Sequence, residues 1–246
     1  MYTRRTSNES AHLENIDSVL SKRVRDRVGH FLPPVQKRMC YSAEVSLGTF
    51  VSVSLISIFL FMRNKGVDRA VGGILFVTGC MQFLEYLLWM NPTCNDINKA
   101  ITSIIPIYLY WQPAMFNLIV WALGAGWGTL YPLIILLHIL LFPVMLKLLQ
   151  GKPPCIFKGE CGHLDWNHKN YITLSEKVDP ILVVGNLFYY FSLFYSVATL
   201  KNVNLSILIV LLWAISWFIS VSFYKKVWGS IWCHSATAAG LFALFV

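Results

Sequence analysis

Residues 70–90 read AVGGILFVTGCMQFLEYLLWM, with Glu85 as the one charge. This stretch decides the class of the fold. A helix of about 20 apolar residues, rising 1.5 Å per residue, covers the roughly 30 Å of hydrocarbon in a bilayer. A surface helix of a soluble domain would show a wide polar face over the same length, and this one does not. The same texture recurs on both sides, at residues 43–62, 100–121, 129–148, 180–200, 205–224 and 227–246. Seven blocks of this size occupy roughly 140 residues. That suits a chain of 246 residues that is 56% hydrophobic and only 13% charged, where a soluble domain carries about 25% charge. The expected fold is all-α: a polytopic, multi-pass integral membrane protein with seven transmembrane helices. Nothing in the composition says which membrane holds it.

Residues 39–246 thus form the membrane domain, and residues 1–38 differ from it. They hold eight of the twenty Lys and Arg residues and four of the twelve acids, with no long apolar run. Leu13, Ile16, Leu20, Val24, Val28 and Phe31 fall on one helical stripe, with Lys22, Arg23, Arg25 and Arg27 beside it. Such a basic amphipathic helix suits anionic lipid headgroups; a polar tail without fixed structure is the plainer alternative. Pro33-Pro34 ends the pattern. No short apolar core precedes the first span, so a cleaved signal peptide is not expected.

Orientation follows from counting basic residues in the connections. With the N-terminus cytoplasmic, the inner segments hold 16 Lys and Arg residues and the outer ones 4. The expectation is N-terminus in and C-terminus out. Five of the six cysteines (40, 80, 94, 155, 161 and 233) then face or adjoin the reducing cytosol, and disulfides are not expected. With the opposite orientation, Cys155–Cys161 would be the first disulfide to consider.

Polar groups inside the spans carry the functional information, because hydrocarbon tolerates them only when they are paired, protonated or wetted. Gln82, Glu85 and Trp89 share one face of the second span. Glu85 sits about 7 Å below its inner end at 1.5 Å per residue, where it either serves a function or snorkels to the boundary. The third span reads Trp111-Gln112-Pro113, with Pro106 before it. A central proline frees the carbonyl four residues back, and Gln112 is placed to bond that backbone or a neighbouring helix. The alternative is a simple packing kink. Serines such as Ser46, Ser52, Ser54, Ser57, Ser216 and Ser220 read as close-packing positions.

The topology also brings Cys40, Glu85, Cys233 and His234 towards one level of the inner leaflet. A Cys/Glu/His set can hold zinc or iron or act as a nucleophile with its base; a structural polar cluster is the plainer reading. Cys155, Cys161 and His163 form a second, weaker set of ligand types without a standard zinc spacing. No lysine in the seventh span offers retinal an attachment point, and there is no nucleotide-binding loop. His138 and His234 are too few for a three-histidine zinc hydrolase. The sequon Asn204-Leu205-Ser206 lies too near a span to expect a glycan. The basic charge points to lipid headgroups rather than nucleic acid, and no oligomeric state is legible.

Met39-Cys40-Tyr41-Ser42-Ala43, Gln82-x-x-Glu85-x-x-x-Trp89 and Ser230-Ile231-Trp232-Cys233 together resemble a family of small multi-pass membrane proteins. Its members start Met-Cys-Phe/Tyr-Ser-Ala, carry Gln-x-x-Glu-Gly-x-x-Trp in the second helix and end with Ser-x-Trp-Cys. The match runs in order over residues 39–246, with Trp111-Gln112-Pro113 similar to the family's proline-bearing third helix. Tyr86 stands where the family has Gly, and 38 residues precede the usual start. The resemblance implies a fold and one constellation, Cys40, Ser42, Glu85, Trp89, Trp232 and Cys233, but no activity. With Gln82, Gln112 and His234 these make up the candidate polar site. Three functions suit it: a small transporter or channel-like protein, an intramembrane metal- or thiol-dependent enzyme, and a non-catalytic membrane organiser.

Overall fold

The computed structural model describes residues 42–149, 155–158, 164–165, 180–223, 232, 237 and 241–245. Six helices make up most of this: α1 (Ala43–Arg63), α2 (Asp68–Met90), α3 (Asp96–Ala122), α4 (Tyr131–Leu149), α5 (Pro180–Ala198) and α6 (Val203–Phe223). Between α4 and α5, β1 (Phe157–Lys158) and β2 (Leu164–Asp165) form a short antiparallel hairpin. Six of the seven expected stretches are therefore helices, displaced by at most four residues at their ends. Among the described residues, α1, α2, α3 and residues 203–220 of α6 are long and apolar enough to cross a membrane; α4 and α5 contribute shorter apolar segments. The seventh stretch, 227–246, lies mostly outside the described residues, as does the basic tail with its expected amphipathic helix.

Local chemistry explains where the helices begin and turn. Ser42 caps α1, its hydroxyl accepting from the Val45 amide, and Asn95 caps α3 by accepting from the Asn98 amide. Each cap satisfies one of the amides that a helix start leaves bare. Asn64 closes α1 in the left-handed region at φ 50°, a conformation that asparagine adopts more readily than most residues. Pro106 and Pro113 lie inside α3, and Pro143 inside α4, without ending either helix.

The helices pack because small residues let their backbones approach. A Cβ on Gly72 would stand 3.1 Å from the Ser57 carbonyl of α1, and one on Gly79 would stand 3.0 Å from Val53. Gly73 faces Ile119 of α3. Ser57 is buried, its hydroxyl donating to the Val53 carbonyl of its own helix, as expected of a close-packing serine.

These contacts sort the connections into two ends of the bundle. At one end, Gly126 pairs with Leu200, the Trp127 amide donates to the Thr199 carbonyl and the Lys201 amide to that of Ala125. Arg63 belongs to the same end, because Gly72 meets Leu60 near the finish of α1 and Gly73 meets Ile119 near the finish of α3, which leads into Gly126. Its guanidinium holds both carboxylate oxygens of Asp68 at 2.7 Å and donates to the Ala243 and Leu244 carbonyls at 2.8 and 2.9 Å. The opposite end carries residues 91–95, 155–158 and 164–165. There Cys94 is joined to Cys155. The Asn98 amide brackets Ile156, donating to its carbonyl at 2.9 Å and accepting from its N–H at 3.1 Å.

Candidate functional site

The site is built on α2, the most enclosed of the long helices. Gln82 and Glu85, one turn apart, are 0% and 1% exposed. The Glu85 carboxylate is therefore covered by protein. Ser46, on α1, is also completely buried. Gly72 meets Ser57 and Leu60, and Gly79, two turns on, meets Val53 and Phe50. One more step of two turns sets Ser46 against the Gln82–Trp89 stretch. From α3, Gln112 is buried opposite the part of α2 between Gly73 and Gln82, since Ile119 meets Gly73 and the Tyr108 hydroxyl reaches the Val77 carbonyl.

Four buried polar atoms of this layer have no protein partner: both amide atoms of Gln82, the Ser46 hydroxyl and Gln112 Nε2. An unmade hydrogen bond in a buried site costs about 1–3 kcal/mol, so each such group calls for an explanation. Gln112 was expected to bond the backbone freed by Pro113 or a neighbouring helix, but its nitrogen meets neither. Asn117, one turn after Pro113, ties the backbone instead. Its amide nitrogen donates to the Pro113 and Ser192 carbonyls at 2.8 Å each, joining α3 to α5.

The end of this layer is roofed. Ile156 and Leu164 of the hairpin are buried in one apolar cluster with Met81 and Leu88 of α2 and Ile101 and Ile105 of α3; Trp89 packs at its edge. The other expected members are placed elsewhere. Ser42 uses its hydroxyl to start α1 and to donate to Glu44. Trp232 belongs to the larger apolar cluster, its indole N–H donating to the Trp213 carbonyl at 3.2 Å and its ring beside Tyr190. Cys40, Cys161, His163, Cys233 and His234 lie outside the described residues.

Among the described residues, no three His, Cys, Asp or Glu side chains come together. The second ligand set is corrected further, because the Cys155 sulfur is bonded to Cys94 and is not free to bind a metal. The same bond overturns the expectation of no disulfide, and it pairs Cys155 with Cys94, not Cys161.

Two buried polar groups left out of the candidate site are well satisfied. Asn98, as well as bracketing Ile156, donates to the Asn91 carbonyl and accepts from Thr102. His138 of α4 is enclosed, its Nδ1 2.9 Å from the Ile134 carbonyl and its ring against Tyr110 and Phe188. The only available signal was a polar residue within an apolar run. Such a residue marks a tether as readily as a site.

No protein-family model, no curated protein and no solved structure matches this chain.

Proposed function

We propose that this chain is a small multi-pass transporter or channel-like protein, with its polar site in the layer formed by Ser46, Gln82, Glu85 and Gln112. One observation carries the reading: the Gln82 amide is fully buried beside Glu85 and neither donates nor accepts. A glutamine kept only for packing would be replaced by an apolar residue at no cost, or with a gain in stability. A glutamine that meets a water, ion or small polar solute in passing must keep its amide free in the resting protein. Glu85, one turn away, supplies the group that responds to protons or cations. An intramembrane carboxylate of this kind typically marks a substrate or ion path.

Seven crossings fit the contacts. The helices run alternately between the Arg63 end and the Cys94 end. After α6 leaves the Lys201 end, the chain returns to Arg63 at Ala243 and Leu244. The place of Ala243 and Leu244 beside Arg63 supports a seventh crossing over the expected stretch 227–246.

The test is flux in proteoliposomes under imposed proton, sodium and potassium gradients. The Glu85→Gln protein, inserted in equal amount, should lose at least tenfold of whichever flux the wild type shows. Equal flux in the two proteins would remove Glu85 from the path.

A further inference from the structure

We infer that the Cys94–Cys155 end of the bundle faces an oxidising compartment, so that α1 begins outside the cytosol and the polar site lies below the non-cytosolic surface. This inference does not depend on the transport reading; it concerns which way the molecule is inserted.

The bridge is built as a permanent part of the fold. Cys155 is 5% exposed. The residue after it is fixed by both hydrogen bonds to the Asn98 side chain, and Ile156 and Leu164 are sunk between α2 and α3. Here Cys155 is buried while Cys94 is exposed, and the hairpin that the bond anchors is also held by Asn98 and by the apolar contacts of Ile156 and Leu164. Persistent disulfides belong to the secretory pathway, the periplasm and the cell surface. Formation is balanced as thiol–disulfide exchange. The two thiols lose two protons and two electrons, and the disulfide of an oxidising protein in that compartment is reduced to a dithiol.

The count of basic residues had placed this end in the cytosol, and its weight lies in two long segments. Residues 1–38 and 147–177 supply thirteen of the sixteen. The rule is strongest in short connections. There this end has three, Lys99, Lys225 and Lys226, against four at the other end, Arg63, Lys65, Arg69 and Lys201. The short loops thus give the cytosol no preference for the Cys94 end, and the disulfide decides. A solute reaching Glu85 from this end would enter from outside, past the stapled hairpin.

Two measurements on the full chain test this. In membranes quenched with an alkylating reagent at harvest, then denatured and labelled with a maleimide polymer, reduction should expose two more cysteines in wild type than in the Cys94→Ser/Cys155→Ser variant. Alkylation of Cys94 and Cys155 without reductant would overturn the inference. For sidedness, residues 243–244 lie at the Arg63 end, so a reporter after Val246 reads the opposite face. In a bacterial host, a green fluorescent protein fusion should fluoresce and an alkaline phosphatase fusion should be inactive. A dark fluorescent fusion with an active phosphatase would overturn the orientation. Each fusion reports by a positive signal, so either result is decisive.

Discussion

At the scale of single residues, the layer around Glu85 sets stability against use. Gln82 holds two unmade hydrogen bonds in a fully buried position, at about 1–3 kcal/mol for each group. Gln82→Leu keeps a similar volume and removes both, so it should raise the thermal midpoint of the detergent-solubilised protein by several degrees. If the amide serves a passing solute, the same variant should lose flux by tenfold or more. A variant more stable and equally active would show that the amide is idle. The contrast is Asn98, another buried amide of the same chemistry. Both of its polar atoms are engaged, Nδ2 by the Asn91 and Ile156 carbonyls and Oδ1 by Thr102 and the Ile156 N–H. Asn98→Leu should therefore destabilise, by about 2–3 kcal/mol, and should make the Cys94–Cys155 bridge more readily reduced. A sequence shows both residues simply as amides in an apolar run. What separates them is where their partners are, and for Asn98 the partner lies 58 residues away.

At the scale of elements, the helices were legible and their pairing was not. Apolar blocks of bilayer length fix six helix positions to within a few residues, because hydrocarbon permits little else. The glycines of α2 were part of the same apolar texture, and no spacing rule named Ser57 or Val53 as what they face. Gly79→Leu tests that contact. Even a Cβ would come within 3.0 Å of Val53, and a full side chain must part α1 from α2 at the level just above Ser46. The expected outcome is a loss of folded protein, or of about 2–4 kcal/mol where it folds. At Gly48, where a Cβ meets nothing within 4 Å, leucine should be tolerated. The third span, expected over 100–121 with Pro113 inside it, is one helix that continues through that proline to Ala122.

At the scale of the whole molecule, a count of basic residues does not see what one of them does by contact. The connection Arg63-Asn64-Lys65-Gly66-Val67-Asp68-Arg69 scored as three positive charges, but one of them has structural work to do. Arg63 grips Asp68 through two nitrogens, and two of its nitrogens also donate to the Ala243 and Leu244 carbonyls. Its side chain is 17% exposed and that of Asp68 6%. This is a latch, which closes the first connection of the bundle onto the last described stretch of chain. One guanidinium thus serves both carbonyls and the carboxylate together. Removing only the cation leaves Asp68 enclosed without its counter-charge, the costly way to break such a pair. Arg63→Leu should therefore cost about 3 kcal/mol, or roughly 6–12 °C in thermal midpoint for a chain of this size. Arg63→Lys should recover only part, because an ammonium lacks the planar fork. The Arg63→Leu/Asp68→Leu double variant should be more stable than Arg63→Leu, since it no longer buries a lone carboxylate. The three midpoints, measured in one detergent at one protein concentration, make a test of order. A double variant less stable than Arg63→Leu would mean that Asp68 is held chiefly by the Lys65 amide, 2.9 Å from its Oδ2, and that the ion pair contributes little.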